Sequence, residues 1–258
     1  LWIGRHFMNR AQLLELQQLD IIGDIHGCFD ELLSLVGLLG YEISHDEGII
    51  LGHPQGRKLV LAGDLVDRGP KVPEVLNLAM HGQQASRVFS VVGNHDDKLL
   101  RALKGKELDL RHGLRESLEQ LDTHPENFRV EALTFLESLP SYLIFDAGQL
   151  IVSHAGIDEE FIGQDSEKIR QICMYGKTTG EVDEYGLCVR YPWAEDYKGE
   201  AMVVYGHTPN SNPAMLNNTI NIDTGCVFGG RLTAFRYPEK EMISVPAHKF
   251  YFSPPKPF

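Results

Sequence analysis

The chain has 258 residues, 43% hydrophobic and 23% charged, with a formal net charge of -12 when histidine is neutral. That length supports one large domain with a sizeable core, and so acidic a surface argues against a protein that coats nucleic acid through a broad basic face. No run of about eighteen apolar residues offers a membrane-spanning helix, and four scattered cysteines without a CxxC pair (Cys28, Cys173, Cys188, Cys226) read as free thiols of a cytoplasmic protein.

Residues 1–18 read as a leader or linker without a signal peptide's apolar stretch, in which Leu13, Leu14, Leu16 and Leu19 would form part of a short helix. Strand and helix then alternate. Asp20 to Ile22 reads as a strand, and Phe29 to Leu39 as a helix with an apolar stripe of Leu32, Leu33, Leu35, Val36 and Leu39. Lys58 to Ala62 is a buried strand, Pro73 to His81 a helix, Val88 to Val92 a third strand and Asp96 to Lys104 a third helix. This succession predicts parallel strands with helices packed on them.

Glu107 to Pro140 is polar and helical in pattern, and then the grammar changes to short strands. These are Tyr142 to Phe145, Leu150 to Ser153, Ala201 to Tyr205, Thr219 to Ile222, Leu232 to Phe235 and Met242 to Val245, which suit a second sheet packed on the first. Between them 156–199, rich in Gly, Tyr and charge, reads as a cap insertion beside the site. The predicted domain is 19–250, with 251–258 a proline-rich tail.

Five segments sit directly after predicted strands: Gly23-Asp24-Ile25-His26-Gly27, Gly63-Asp64-Leu65-Val66-Asp67-Arg68-Gly69, Gly93-Asn94-His95-Asp96, Ser153-His154-Ala155-Gly156 and Tyr205-Gly206-His207-Thr208. Strand ends are where open α/β sheets place their sites. Asp, Asn and His without thiolate suit manganese, iron, zinc and similar ions. A carboxylate such as Asp64 can bridge two of them about 3.5–4 Å apart, the spacing that activates water and clamps an in-line displacement at phosphorus. Taken singly, Asp or Asn beside Gly is a turn residue and a lone His a core residue; five such fragments in order are not explained that way. Arg68, on the loop of Asp64, offers a planar fork to phosphate oxygens. The basic run Lys98, Arg101, Lys104, Lys106 reads as a solvated helix face, with contact to strand phosphates as the alternative.

Together these motifs resemble the calcineurin-like metallophosphoesterases, in the branch shared with protein serine/threonine phosphatases. The resemblance implies an α/β fold in four layers, two packed mixed β-sheets flanked by helices. It implies that Asp24, His26 and Asp64 hold one divalent ion and that Asp64, Asn94, His154 and His207 hold a second. It further implies His95 as general acid, Asp67 as its orienting carboxylate and Arg68 on the phosphate. The expected ions are manganese first, with iron, zinc, nickel or cobalt as alternatives. Pro209 departs from the pattern, because many relatives carry a second His there; this fits a branch whose first metal has fewer protein ligands.

A narrower resemblance rests on Cys28-Phe29-Asp30-Glu31, 98–106, His112-Gly113-Leu114, 175–181 and 221–230. These look like the phosphatase module of bacterial polynucleotide kinase-phosphatase and, less closely, like bacterial dinucleoside tetraphosphate hydrolases. The expected substrate is thus a nucleic-acid end bearing 2′,3′-cyclic or 3′-phosphate, or a nucleotide, with Asp223 a further substrate or supporting residue. Kinase and ligase modules would be neighbours in a larger repair protein, yet the chain has no GxxxxGK phosphate loop. The alternatives are a dinucleoside tetraphosphate hydrolase, a protein serine/threonine phosphatase and a metal-binding scaffold without activity. The scaffold is disfavoured because every expected ligand position holds a competent residue.

Overall fold

Period-two alternation along the strands sorts the side chains into layers. The computed structural model describes residues 11–15, 18–44, 49–254 and 256. In the strand Leu19–Ile22, Leu19 and Ile21 point one way, while Ile22 points the other. In Lys58–Leu61, Val60 joins Leu19 and Ile21, and Leu59 and Leu61 join Ile22. The first set meets Leu143, Phe145, Leu150, Val152, Val204 and Ile220 between two sheets. The second packs on the helices Phe29–Leu38 and Val72–Gln84 through Leu32, Leu35, Val75 and Leu76.

One sheet has five strands in the order Glu241–Pro246, Arg231–Tyr237, Leu19–Ile22, Lys58–Leu61, Val88–Ser90, the last three parallel and the first two antiparallel. The other has six, in the order Ala11–Leu14, Tyr142–Phe145, Leu150–Ser153, Met202–Tyr205, Thr219–Asn221, Ala214–Leu216. Both are therefore mixed, as expected, and helices close the face of the five-stranded sheet. The outer face of the six-stranded sheet, at Tyr142, Ile151 and Val203, is covered by Ile169, Cys173, Trp193 and Tyr197. These four belong to 156–199, which folds as the helices Glu167–Tyr175 and Trp193–Asp196 and the hairpin Thr178–Val182/Cys188–Arg190.

Several elements differ from the sequence reading. Ala11–Leu14 is a strand, parallel to Tyr142–Phe145, and not a helix: pairing at a sheet edge overrides the helical preference of a leucine-rich stretch. Leu16 lies outside the described residues. The polar stretch after Glu107 divides into the helices Leu114–Asp122 and Glu126–Ser138, broken before Pro125. The tail begins later than expected. Tyr251 and Phe252 donate backbone N–H groups to Val227 O, and the Tyr251 hydroxyl bonds Glu31 Oε1 at 2.8 Å, so both residues belong to the fold. Among the described residues no helix is long and apolar enough to cross a membrane.

The strand residue Asp20 faces the helices yet is fully buried, and it is saturated with donors. Arg57 Nε reaches it at 3.0 Å, Arg236 Nε at 2.8 Å and the Tyr41 hydroxyl at 3.0 Å. Arg57 also donates to Glu239 at 2.8 Å and to the carbonyls of Leu19 and Tyr237.

Candidate metal centre

Each predicted segment leaves the C-terminal end of a strand, and the five ends converge. The loops after Leu19–Ile22 and Lys58–Leu61 are stitched together by backbone bonds, with Ile25 and His26 N–H on Asp64 O and Gly27 N–H on Leu65 O. His26, Asp64, Asp67, Arg68 and His207 all have positive φ, from 46 to 73°. Such backbone costs about 1–3 kcal/mol per non-glycine residue and persists where the surroundings impose it. Here it turns five polar side chains inward. Gly93 lets two loops touch, since a Cβ there would lie 2.2 Å from Asp64 N and Oδ1.

Two triads result, His26/Asp64/His95 and Asp64/His154/His207, in each of which the ligating atoms lie within 4.8 Å of one another. Asp64 is common to both. His26 Nδ1 donates to Val66 O at 2.7 Å and His154 Nδ1 to Ala62 O at 2.9 Å, which leaves each Nε2 facing the centre. Asn94 Oδ1 and His207 Nδ1 each lie 3.1 Å from His154 Nε2. Asp24 stands beside this group and outside both triads, its carboxylate accepting the His207 backbone N–H at 3.1 and 3.2 Å.

The electrostatics describe a site short of positive charge. Burial pushes the Asp24 carboxyl well above the usual range, and neighbouring Asp223 pushes it further. Burial also pushes Asp223 up to about 6. Asp64 moves the other way, because His154, His95 and His26 outweigh its burial and hold it well below the ordinary value. His154 is its counterpart: burial lowers it, yet Asp64 and Asp24 raise it to about 10. His26 and His207 are held well below ordinary imidazole by burial first, then by Arg68 and His154 respectively. A divalent cation relieves both problems, neutralising the carboxylates and binding the imidazole lone pairs. The donor set fits such ions: His154 Nε2, His207 Nδ1 and Asn94 Oδ1 crowd around one point, both other atoms 3.1 Å from His154 Nε2.

The remaining predicted residues form a hydrogen-bonded chain beside the triads. His95 Nδ1 donates to Asp67 Oδ2 at 2.6 Å, and Arg68 reaches His26 Nε2 at 2.7 Å and His95 Nε2 at 2.8 Å. Arg68 Nε is buried without a partner. Asp223 Oδ1 accepts the Gly225 N–H at 3.0 Å, the turn role, while its charge reaches Asp64 and Arg68. Three supports escaped the sequence reading. Ser117 donates to Asp67 Oδ1 at 2.6 Å, and Phe228 and Phe252 lie 5.1 and 5.9 Å from the Arg68 guanidinium. In the basic run, Arg101 and Lys104 are paired with Asp97 and Glu137, and Lys98 donates to Arg111 O, as on a solvated face.

Strand-end Asp, Asn and His ligands around a shared carboxylate, with an arginine fork and a carboxylate-held histidine beside them, define a metal-dependent phosphoesterase. The calcineurin-like phosphoesterase profile matches residues 18–243, and the chain belongs to that family, which uses divalent metals in a binuclear site. Among its relatives is the asymmetrical bis(5′-nucleosyl)-tetraphosphatase PrpE of Anoxybacillus flavithermus, 46% identical over 88% of this chain and 94% of that protein. The PrpE of a Geobacillus species is 45% identical over 89% and 94%. A solved structure assigned as a diadenosine tetraphosphatase superposes with a TM-score of 0.67, at 26% identity, covering 92% of this chain and 97% of the other.

Proposed function

We propose that the protein hydrolyses dinucleoside polyphosphates, cleaving a phosphoanhydride with two divalent ions held around Asp64. The observation that carries this reading is identity of 45–46% to tetraphosphatases across nearly their whole length. It reverses the order suggested by the sequence motifs, in which nucleic-acid ends came first. The assignment of ligands remains that implied by the motifs, with Asp24, His26 and Asp64 on one ion and Asp64, Asn94, His154 and His207 on the other. Manganese is the ion proposed.

When bound, such a pair acidifies water and clamps the charge that develops during in-line displacement. The chain's own groups do the rest. Arg68, flanked by Phe228 and Phe252, presents its guanidinium where phosphate oxygens can be taken in a fork. Asp67, itself held by Ser117, fixes His95 through Nδ1, with Nε2 against the Arg68 guanidinium that would take the phosphate. As the water oxygen bonds to phosphorus it loses a proton to solvent and the bridging P–O bond breaks. His95, which must first take up a proton at the Nε2 that Arg68 occupies, passes it to the departing phosphate oxygen.

The test compares substrates. With manganese, kcat/KM for diadenosine tetraphosphate is expected to exceed that for oligonucleotides bearing 3′- or 2′,3′-cyclic phosphate by about tenfold or more. The opposite order would restore the nucleic-acid reading. Chelation should remove activity on every substrate, and added manganese should restore it.

A further inference from the structure

His207 belongs to two places. Its Nδ1 faces His154 in the metal centre, and its ring also stands in the wall of a separate cavity of about 310 Å³. The rest of that wall is largely apolar. Trp193 and Tyr205 meet edge to face with ring centroids 5.0 Å apart, and Pro192 and Leu216 extend the surface. Trp193 is fixed from behind, since a Cβ on Gly156 would come within 2.1 Å of its indole. In the edge strand Ala214–Leu216, Ala214 and Leu216 share the cavity side, while Met215 points away and is 57% exposed.

Two cations interrupt this apolar lining. Lys177 and Arg190 both border the cavity that His207 also lines. Arg190 donates to Tyr175 O and Lys177 pairs with Asp158 at 2.8 Å, so both side chains are oriented. Glu195 also borders the cavity and Asp158 holds Lys177, so on this chain of net charge -12 the two cations are local donors between an aromatic wall and the metal centre.

We infer that this cavity is the nucleoside subsite of the enzyme. It takes one base and sugar against Trp193, Tyr205 and Leu216, with Lys177 and Arg190 on the phosphates that lead to the metal centre. The inference rests on the function proposed above and goes beyond it by locating what selects the substrate. A base has a flat π-face that aromatic side chains accept without regard to sequence. Small-ligand cavities begin near 300 Å³, so this one holds a single nucleoside and not both. One nucleoside fixed beside the metals puts the cleaved bond nearer one end of the substrate, giving unequal fragments.

Two measurements decide it. Trp2→Phe leaves Trp193 as the only tryptophan. With manganese present, adenosine monophosphate should change its fluorescence saturably, whereas ribose 5-phosphate, which has the phosphate and lacks the base, should not. Separately, Ala214→Phe fills the cavity from an exposed edge strand. It should lower the ratio of kcat/KM for diadenosine tetraphosphate to that for p-nitrophenyl phosphate at least tenfold. Equal responses to the two monophosphates, no response to either, or an unchanged ratio each overturn the subsite. If the enzyme hydrolyses p-nitrophenyl phosphate and never the tetraphosphate, the proposed function fails instead, and the adenosine monophosphate titration still decides whether the cavity binds a nucleoside.

Discussion

Asp20, in the five-stranded sheet, and Asp64, in the loop that leaves it, are both buried carboxylates, 0% and 2% exposed, and their surroundings could hardly differ more. Around Asp20, two arginines and a tyrosine point donors at the carboxylate, and Arg57 places its other donors on Glu239 and two carbonyls. The network closes on itself. Around Asp64, imidazole nitrogens and an amide oxygen converge on shared points: Arg68 reaches His26 and His95 from one side, while His154 Nε2, His207 Nδ1 and Asn94 Oδ1 crowd together on the other. Burial of charge alone therefore does not mark a functional site. What marks it is an excess of acceptors aimed at one place, which only a cation from outside can satisfy.

That contrast can be broken by experiment. Asp64→Asn should lower kcat/KM on any phosphate ester by ~1,000-fold or more, about 4 kcal/mol of barrier, with thermal unfolding little changed. A variant that kept activity would end the shared-ligand assignment. Asp20→Ala should do the reverse. Leaving Arg57 and Arg236 buried without their carboxylate should cost about 3 kcal/mol or more of stability, read by urea unfolding, while activity per folded molecule survives. If Asp20→Ala abolished activity and spared stability, the distinction drawn here would collapse.

Smaller effects sharpen it within the site. Asp67→Asn should lower kcat by ~100-fold on phenyl phosphate, whose leaving oxygen needs a proton, and by less on p-nitrophenyl phosphate, whose leaving group scarcely needs one. Equal losses on both would make Asp67 a structural residue only. Phe252→Ala removes one aromatic face from Arg68, worth about 0.5–1 kcal/mol, so KM should rise only a few-fold with kcat nearly intact.

Much of this was legible in the sequence. Short apolar runs in Lys58–Leu61 and Leu150–Ser153, with glycine nearby, announced buried strands. The candidate site residues could be picked out because each sits within a short segment whose chemistry is local. Ala11–Leu14 was not readable, since its strand state is conferred by Tyr142–Phe145, about 130 residues away in the chain. Nor were Ser117 beneath Asp67, or Phe228 and Phe252 around Arg68, where an ordinary residue acquires its role only from a distant partner. Asp24 shows the opposite case. The motif names it as a ligand, while the structure engages its carboxylate with the backbone of His207.

The cap's apolar cluster draws on Tyr142, Ile151 and Val203 from the outer face of the six-stranded sheet, and on no residue of the cluster between the sheets. Changes in one can therefore accumulate without deforming the other. On the subsite proposed above, drift in 156–199 redraws which molecules are admitted and leaves the means of cutting them unaltered. His207, standing in both walls, is where that freedom ends.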